Sequence, residues 1–242
     1  MKVKPCSTSF FEINQSFSVF PESYSFIDSS HCNLIWNLLL DCRRFWKERD
    51  PGCGFYTFGT PSYMDASESL TYYIYQSAQT NCFLKPIFNR LRPALVRKLS
   101  TCCDVLEQFV MPLPFASIPG FHIFAPALPF EGDVESSYHQ DRQHEFIVPL
   151  IDNILGSELS PNVEILSFTL PIKLPLAGAG LCFCEKSGVV HRFPYVAGEI
   201  VLHGGQNDHK IDDGYVSSVG DVRATMQGHA VRTTSGKLYY YW

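Results

Sequence analysis

The 242-residue chain carries 19 Lys plus Arg against 24 Asp plus Glu, a formal charge of −5, with 45% hydrophobic and 14% aromatic residues. That apolar content supports a packed core, and a charged fraction of only 18% excludes a disordered, solvating chain. A mildly acidic chain without a basic run lacks the positive face that sequence-independent nucleic-acid binding needs, so no nucleic-acid partner is expected.

The N-terminus holds Lys2 and Lys4 with no apolar run of signal-peptide length behind them. The longest greasy stretch, residues 34–40, is interrupted by Asn37, so no membrane span is expected. Nine cysteines, an odd number with no CxxC pair, read mostly as small buried hydrophobes in a reducing compartment. The expectation is a soluble, cytoplasmic protein.

Along the chain, Ile35, Leu38, Leu39, Cys42, Phe45 and Trp46 recur at helical spacing. Asp28, Ser29 and Ser30 offer N-caps, and Asp50-Pro51-Gly52 ends the segment. A second helix is expected over residues 67–78 and a third over 93–110. There Pro93 suits a first turn, and Leu95, Leu99, Cys102, Leu106 and Phe109 form an apolar stripe. Such stripes are core packing. The period then changes to short β-branched and aromatic runs at 120–125, 145–151, 165–174, 180–185, 189–196, 199–203, 222–233 and 238–242. Short strands punctuated by turn residues point to a sandwich or jelly roll. Helices first and strands second give the α+β class: a single domain, residues 1–242, with 1–114 as mainly helical support and 115–242 as a jelly-roll catalytic core.

Most of the histidines fall in the second half, and His139 and Asp141 are the informative pair. On an extended segment, residues two apart face the same side, so these two offer an imidazole and a carboxylate to one point. That is two thirds of a facial triad for non-haem Fe(II). Further on, residues 197–211 read as a strand running through Gly204-Gly205 to His209, with His203 as an alternative third ligand. In the next strand Arg223, Thr225, Gln227 and His229 share one face, and Val222, Ala224, Met226 and Ala230 the other. A polar row is often a solvent face. Following a candidate ligand so closely, it reads as a pocket wall.

This order, HxD, then a strand–turn–His, then an Arg on the following strand, resembles the Fe(II)/2-oxoglutarate-dependent dioxygenases. Residues 167–181 resemble the strand and glycine turn between the two ligand segments of that superfamily. Phe121-His122-Ile123-Phe124 resembles the strand leading into HxD. The resemblance covers about residues 115–242 and identifies no subfamily.

The resemblance implies a double-stranded β-helix in which His139, Asp141 and His209 hold Fe(II). It implies that Arg223 grips the distal carboxylate of the cosubstrate 2-oxoglutarate, with Arg232, then Lys210, as weaker alternatives, and that Thr225 and Thr169 lie beside it. A planar guanidinium suits that task because it can give a carboxylate two parallel bonds. With O2, the implied reaction is oxidation of an unactivated C–H bond of a small molecule, releasing succinate and CO2. Related halogenases carry a small residue where Asp141 stands, so the carboxylate points to hydroxylation, desaturation or cyclisation. His122, Phe124, Gln227 and His229 are expected to line the substrate pocket. Tyr56, Phe58, Tyr63 and residues 208–220 are expected to shape its mouth, with Asp212-Asp213-Gly214-Tyr215 as an inserted loop. His144 is expected near the pocket or as an ordinary hydrogen-bonded histidine, and His31 and His191 are expected to be structural. Two other readings compete: a cupin-type metalloenzyme that does not use 2-oxoglutarate, with Arg223 binding substrate, and a non-catalytic jelly-roll binding module.

Overall fold

The computed structural model describes residues 21–125, 138–142, 144–156, 164–176, 179–185, 187–212 and 221–242. Helix α1 (Ser29–Asp41) begins where the sequence marks it, with the Asp28 carboxylate accepting from the His31 backbone N–H at 2.8 Å. This satisfies one of the orphan donors of a helix start. The helix gives way to a 3₁₀ turn (Arg43–Phe45) sooner than the apolar spacing indicates.

The two helices expected over 67–78 and 93–110 are one. After the short α2 (Ser62–Asp65), helix α3 (Leu70–Cys103) runs 34 residues straight through Pro86 and Pro93. Leu84, Ile87, Phe88, Leu91, Leu95 and Leu99 form one buried stripe across both prolines. Each proline removes a single backbone donor, and the continuous stripe holds the helix together regardless.

The strand expected over 145–151 is instead helix α4 (His144–Leu155). Its buried residues Ile147, Leu150 and Ile151 keep 3–4 spacing and pack with Tyr73, Leu113 and Val231. A short apolar run fits a buried helix as well as a strand, and here the tertiary partners decide. The other seven expected strands are present.

The first half also contributes four strands that the sequence reading missed: β1 (Glu22–Ser25), β2 (Lys47–Asp50), β3 (Phe55–Phe58) and β4 (Val110–Pro112). With β5 (Gly120–Phe124), β6 (Ile165–Lys173), β9 (Glu199–Gly204), β11 (Arg223–Arg232) and β12 (Leu238–Tyr241) they build a large sheet in the order β1-β9-β6-β11-β5-β3-β2. β12 pairs with β11 and, in parallel, with β4; every other pairing in the sheet is antiparallel. A smaller antiparallel sheet has the order β10-β7-β8, from β7 (Gly180–Cys184), β8 (Val190–Pro194) and β10 (Asp208–Ile211). An isolated bridge between His139 and His209 adds the HxD segment to it.

From β5 onward the chain crosses repeatedly between the two sheets. One face of the large sheet carries α1 and α3, where Ile35, Leu39, Phe88 and Leu95 meet Phe121, Leu170, Leu202 and Met226 in the main core. At Val201 the large sheet meets Leu181 of the small one, with Tyr195 in the same cluster.

Trp242 seals the end of β5. A Cβ on Gly120 would come within 2.2 Å of its ring, so that close approach requires glycine. Among the eight cysteines of the described residues, only Cys32, Cys103 and Cys182 are buried, and all eight are free thiols, so they are less buried than expected. No helix among the described residues is long and apolar enough to cross a membrane.

Candidate metal centre

Local pairing builds the site. His139 and His209 face each other across the antiparallel bridge, each backbone N–H donating to the other's carbonyl at 2.9 Å. Two residues on, the Asp141 N–H donates to the Gly205 carbonyl at 2.6 Å. The turn after β9 therefore positions both Asp141 and, four residues further along the chain, His209. One ligand atom from each of His139, Asp141 and His209 lies within 4.8 Å of the others. Two imidazoles and one carboxylate converging in this way match the donor set of non-haem Fe(II).

The tautomer fits as well. His209 Nδ1 lies 2.8 Å from the Asn207 carbonyl, which can only accept, so Nδ1 bears the hydrogen and donates. That leaves Nε2, 3.4 Å from Asp141 Oδ2, as the nitrogen that would bind a metal. His203, the alternative third ligand, packs its ring 4.6 Å from that of His209 and faces its Nδ1 to the Gly204 carbonyl at 3.3 Å. It is outside the converging trio.

Burial and neighbouring charge set the electrostatics. Burial pushes the Asp141 carboxyl upward, but His229 and His209 outweigh it and hold the group well below the usual carboxylate range. Burial pulls His209 down, and the adjacent Asp141 more than compensates. His203 and His122 are pushed down to about 3, each first by burial, then by His209 for the former and Arg223 for the latter. Both are neutral imidazoles at ordinary pH.

Beside the trio opens a cavity of about 730 Å³. All four residues expected in the substrate pocket, His122, Phe124, Gln227 and His229, line it, and so does Thr169. Arg223 and Thr225 lie on the same side of β11 as Gln227 and His229 but are not among the described lining residues. Arg223, 2% exposed, sits with its guanidinium 5.6 Å from the Phe124 ring centre and 5.8 Å from that of Tyr195, two rings of the cavity wall. Arg232 donates to the Cys103 carbonyl at the end of α3. Lys210 stands over the Tyr138 ring.

Of the expected mouth residues, Tyr63, His209 and Ile211 line the cavity, and Tyr63 pairs with His122 Nε2 at 2.9 Å. Tyr56 and Phe58 have the opposite strand parity and pack in or against the core, and it is Phe55 that faces the cavity. Residues 213–220, with most of the inserted loop, lie outside the described residues, as does the His144 side chain. His31 caps α1 with Asp28, and His191 pairs with Glu185 at 2.7 Å.

Ser167 and Tyr195 also line the cavity, and sequence reasoning missed both. Ser167 was accessible through its parity with Thr169. For Tyr195 no local signal existed.

No protein-family model matches the sequence, and no curated protein matches it. Solved structures do. A novel N-substituted L-amino acid dioxygenase from Burkholderia ambifaria AMMD, in complex with alpha-KG, superposes with a TM-score of 0.53 over 92% of this chain and 86% of its own, at 13% identity. The same enzyme without that complex gives 0.53 over the same shares at 12% identity. EvdO2 from Micromonospora carbonacea var. aurantiaca, complexed with 2-oxoglutarate, gives 0.48 over 91% and 90% at 11% identity. The fold of this chain is thus similar to that of a 2-oxoglutarate-binding dioxygenase, in line with the resemblance seen in the sequence.

Proposed function

We propose that the chain is an Fe(II)- and 2-oxoglutarate-dependent oxygenase, a single domain built on a double-stranded β-helix, that oxidises a C–H bond of a small molecule. The convergence of His139, Asp141 and His209 beside a ring-lined cavity carries this reading. The alternation of strands between two mainly antiparallel sheets supports the β-helix.

His139, Asp141 and His209 would hold Fe(II), which with 2-oxoglutarate and O2 would supply an oxidant strong enough to break a C–H bond, with succinate and CO2 as coproducts. The chain's own residues position and shield. The Asn207 carbonyl fixes the His209 tautomer, and Asp141 supplies the anionic ligand. Arg223 offers a buried cation to the far carboxylate of the cosubstrate, with Thr225 and Thr169 nearby. Phe55, Phe124 and Tyr195 keep the cavity apolar, which excludes water and strengthens each polar contact inside. As a metal ligand, Asp141 would take the position that related halogenases leave to a halide. Hydroxylation, desaturation or ring closure is the expected outcome.

Anaerobic reconstitution tests this reading. The protein should bind one Fe(II) and form succinate from 2-oxoglutarate when a panel of small metabolites is supplied, and Asp141→Ala should lose both. Full iron binding and turnover in Asp141→Ala would refute the assignment.

A further inference from the structure

Ser167 belongs to none of the ligand segments, yet its side chain bonds directly to one of the three ligands. Its hydroxyl lies 2.5 Å from Asp141 Oδ2 and 3.1 Å from His229 Nδ1. A carboxylate can only accept, so the single hydroxyl proton points to Asp141. The Ser167 oxygen must then accept from His229, whose Nδ1 bears the hydrogen. The bonds run one way: His229 N–H to Ser167, Ser167 O–H to Asp141.

The sheet is built to hold this chain. Ser167 pairs in register with His203 on β9 and with His229 on β11, so the three form one cross-strand row on the cavity side of the large sheet. At Gly205, a Cβ would meet Ser167 Oγ at 2.5 Å and the Asp141 Cβ at 2.9 Å, so the bare backbone there is what lets the carboxylate reach the hydroxyl. A Ser, a His and an Asp in contact also evoke a nucleophilic triad. Here the serine stands between the other two and gives its proton to the carboxylate, leaving no base to activate it.

Building on the metal centre proposed above, we infer that Ser167, oriented by His229, is the positioning residue that holds the Asp141 carboxylate in its metal-binding pose. Outer partners of this kind orient ligands whose own rotamers would otherwise be free, and losing one typically weakens metal affinity by about 10–100-fold. His203, the third member of that row, sets its ring edge-on to that of His209.

Anaerobic titration of the apoprotein with Co(II), read by its ligand-field bands, tests the inference without any substrate. Ser167→Ala should weaken Co(II) binding by about 10–100-fold and shift the bands of the bound ion. His229→Leu should weaken it less, and His229→Asn, whose amide N–H can take the place of Nδ1, should restore it. A side chain that merely fills space would change the unfolding temperature of the apoprotein and leave affinity and bands alone. Ser167→Ala binding Co(II) like the unaltered protein, while Asp141→Ala has lost it, overturns this inference and leaves the metal centre standing. Unchanged binding in Asp141→Ala overturns the metal centre itself, and the inference with it. If Ser167→Ala does not fold, the His229 pair decides, and equal affinities in Leu and Asn count against the inference.

Discussion

Arg223 carries a full charge into an almost sealed position, between two rings of the cavity wall. A guanidinium keeps its charge at any working pH, so from that position it can hold an anion. A dicarboxylate cosubstrate would supply one. Arg223→Leu should therefore raise the 2-oxoglutarate requirement while iron binding stays intact. Truncating one side of a buried charged pair costs about 2–5 kcal/mol, which is at least tens-fold in affinity. Arg232→Leu should leave the requirement alone, because that side chain is spent on the Cys103 carbonyl. Cosubstrate titrations of the two variants check this, and the reverse pattern would move the anchor to Arg232. The residue scale is also where the sequence was most legible. The HxD pair and the polar side of β11 depend only on alternation along an extended chain. Ser167 obeys the same alternation but carries no motif, so only its contacts reveal its place.

At the scale of elements, a charged clamp ties the N-terminal strands to the site. The Arg49 guanidinium forks onto Asp65, with Nη1 to Oδ1 at 2.9 Å and Nη2 to Oδ2 at 2.7 Å, while its Nε donates to Thr57 at 2.7 Å. Lys47 adds a bond to Asp65 at 2.8 Å. β2, β3 and α2 are thereby locked together, and α2 carries Tyr63 to His122. Removing one partner of a buried pair strands the other charge, so Asp65→Ala should cost about 3–5 kcal/mol in urea unfolding at neutral pH. Burial pushes the Asp65 carboxyl upward, but bonds from Arg49 and Lys47 prevail and hold it below its ordinary 3.8. A carboxyl depressed in the folded state stabilises above its unfolded pKa and stops doing so as pH falls through the folded one. The gap between unaltered protein and variant should therefore be full at neutral pH and narrow as the pH drops below about 3.8. A gap that widens in acid would contradict the clamp. None of this was legible beforehand. Lys47-Glu48-Arg49-Asp50 has no apolar alternation and becomes a strand only because β3 offers it a partner.

The whole molecule is closed by Trp242, which is 1% exposed. Its backbone N–H donates to the Ser117 carbonyl at 2.8 Å, and its own carbonyl accepts from the Tyr73 hydroxyl of α3 at 2.8 Å. The ring fills the space left by Gly120 and lies 5.2 Å from the His122 ring. One residue thus joins the long helix through its backbone, and the large sheet and the cavity wall through its ring. Trp242→Ala should destabilise the protein by about 3–5 kcal/mol, the range for emptying a large aromatic site. Thermal or urea unfolding measures this directly, and a loss under about 1 kcal/mol would show that the neighbouring elements collapse into the gap without it.

The sequence by itself determined what local covalent geometry dictates. It placed a helix cap among Asp28, Ser29 and Ser30 and seven strands, and it matched His139 with Asp141, because each of these is a relation among residues a few positions apart. The tertiary structure decided what depends on distant partners. Residues 145–151 are apolar enough for either a strand or a helix, and the surroundings of Tyr73 and Val231 make them helical. Pro93 reads as a helix start in isolation but sits inside α3, because a continuous core stripe outweighs one missing hydrogen bond. Ser167 meets Asp141 across 26 residues of chain and His229 across 62. No local pattern encodes such a meeting, since it arises only when three strands and a turn are brought into register.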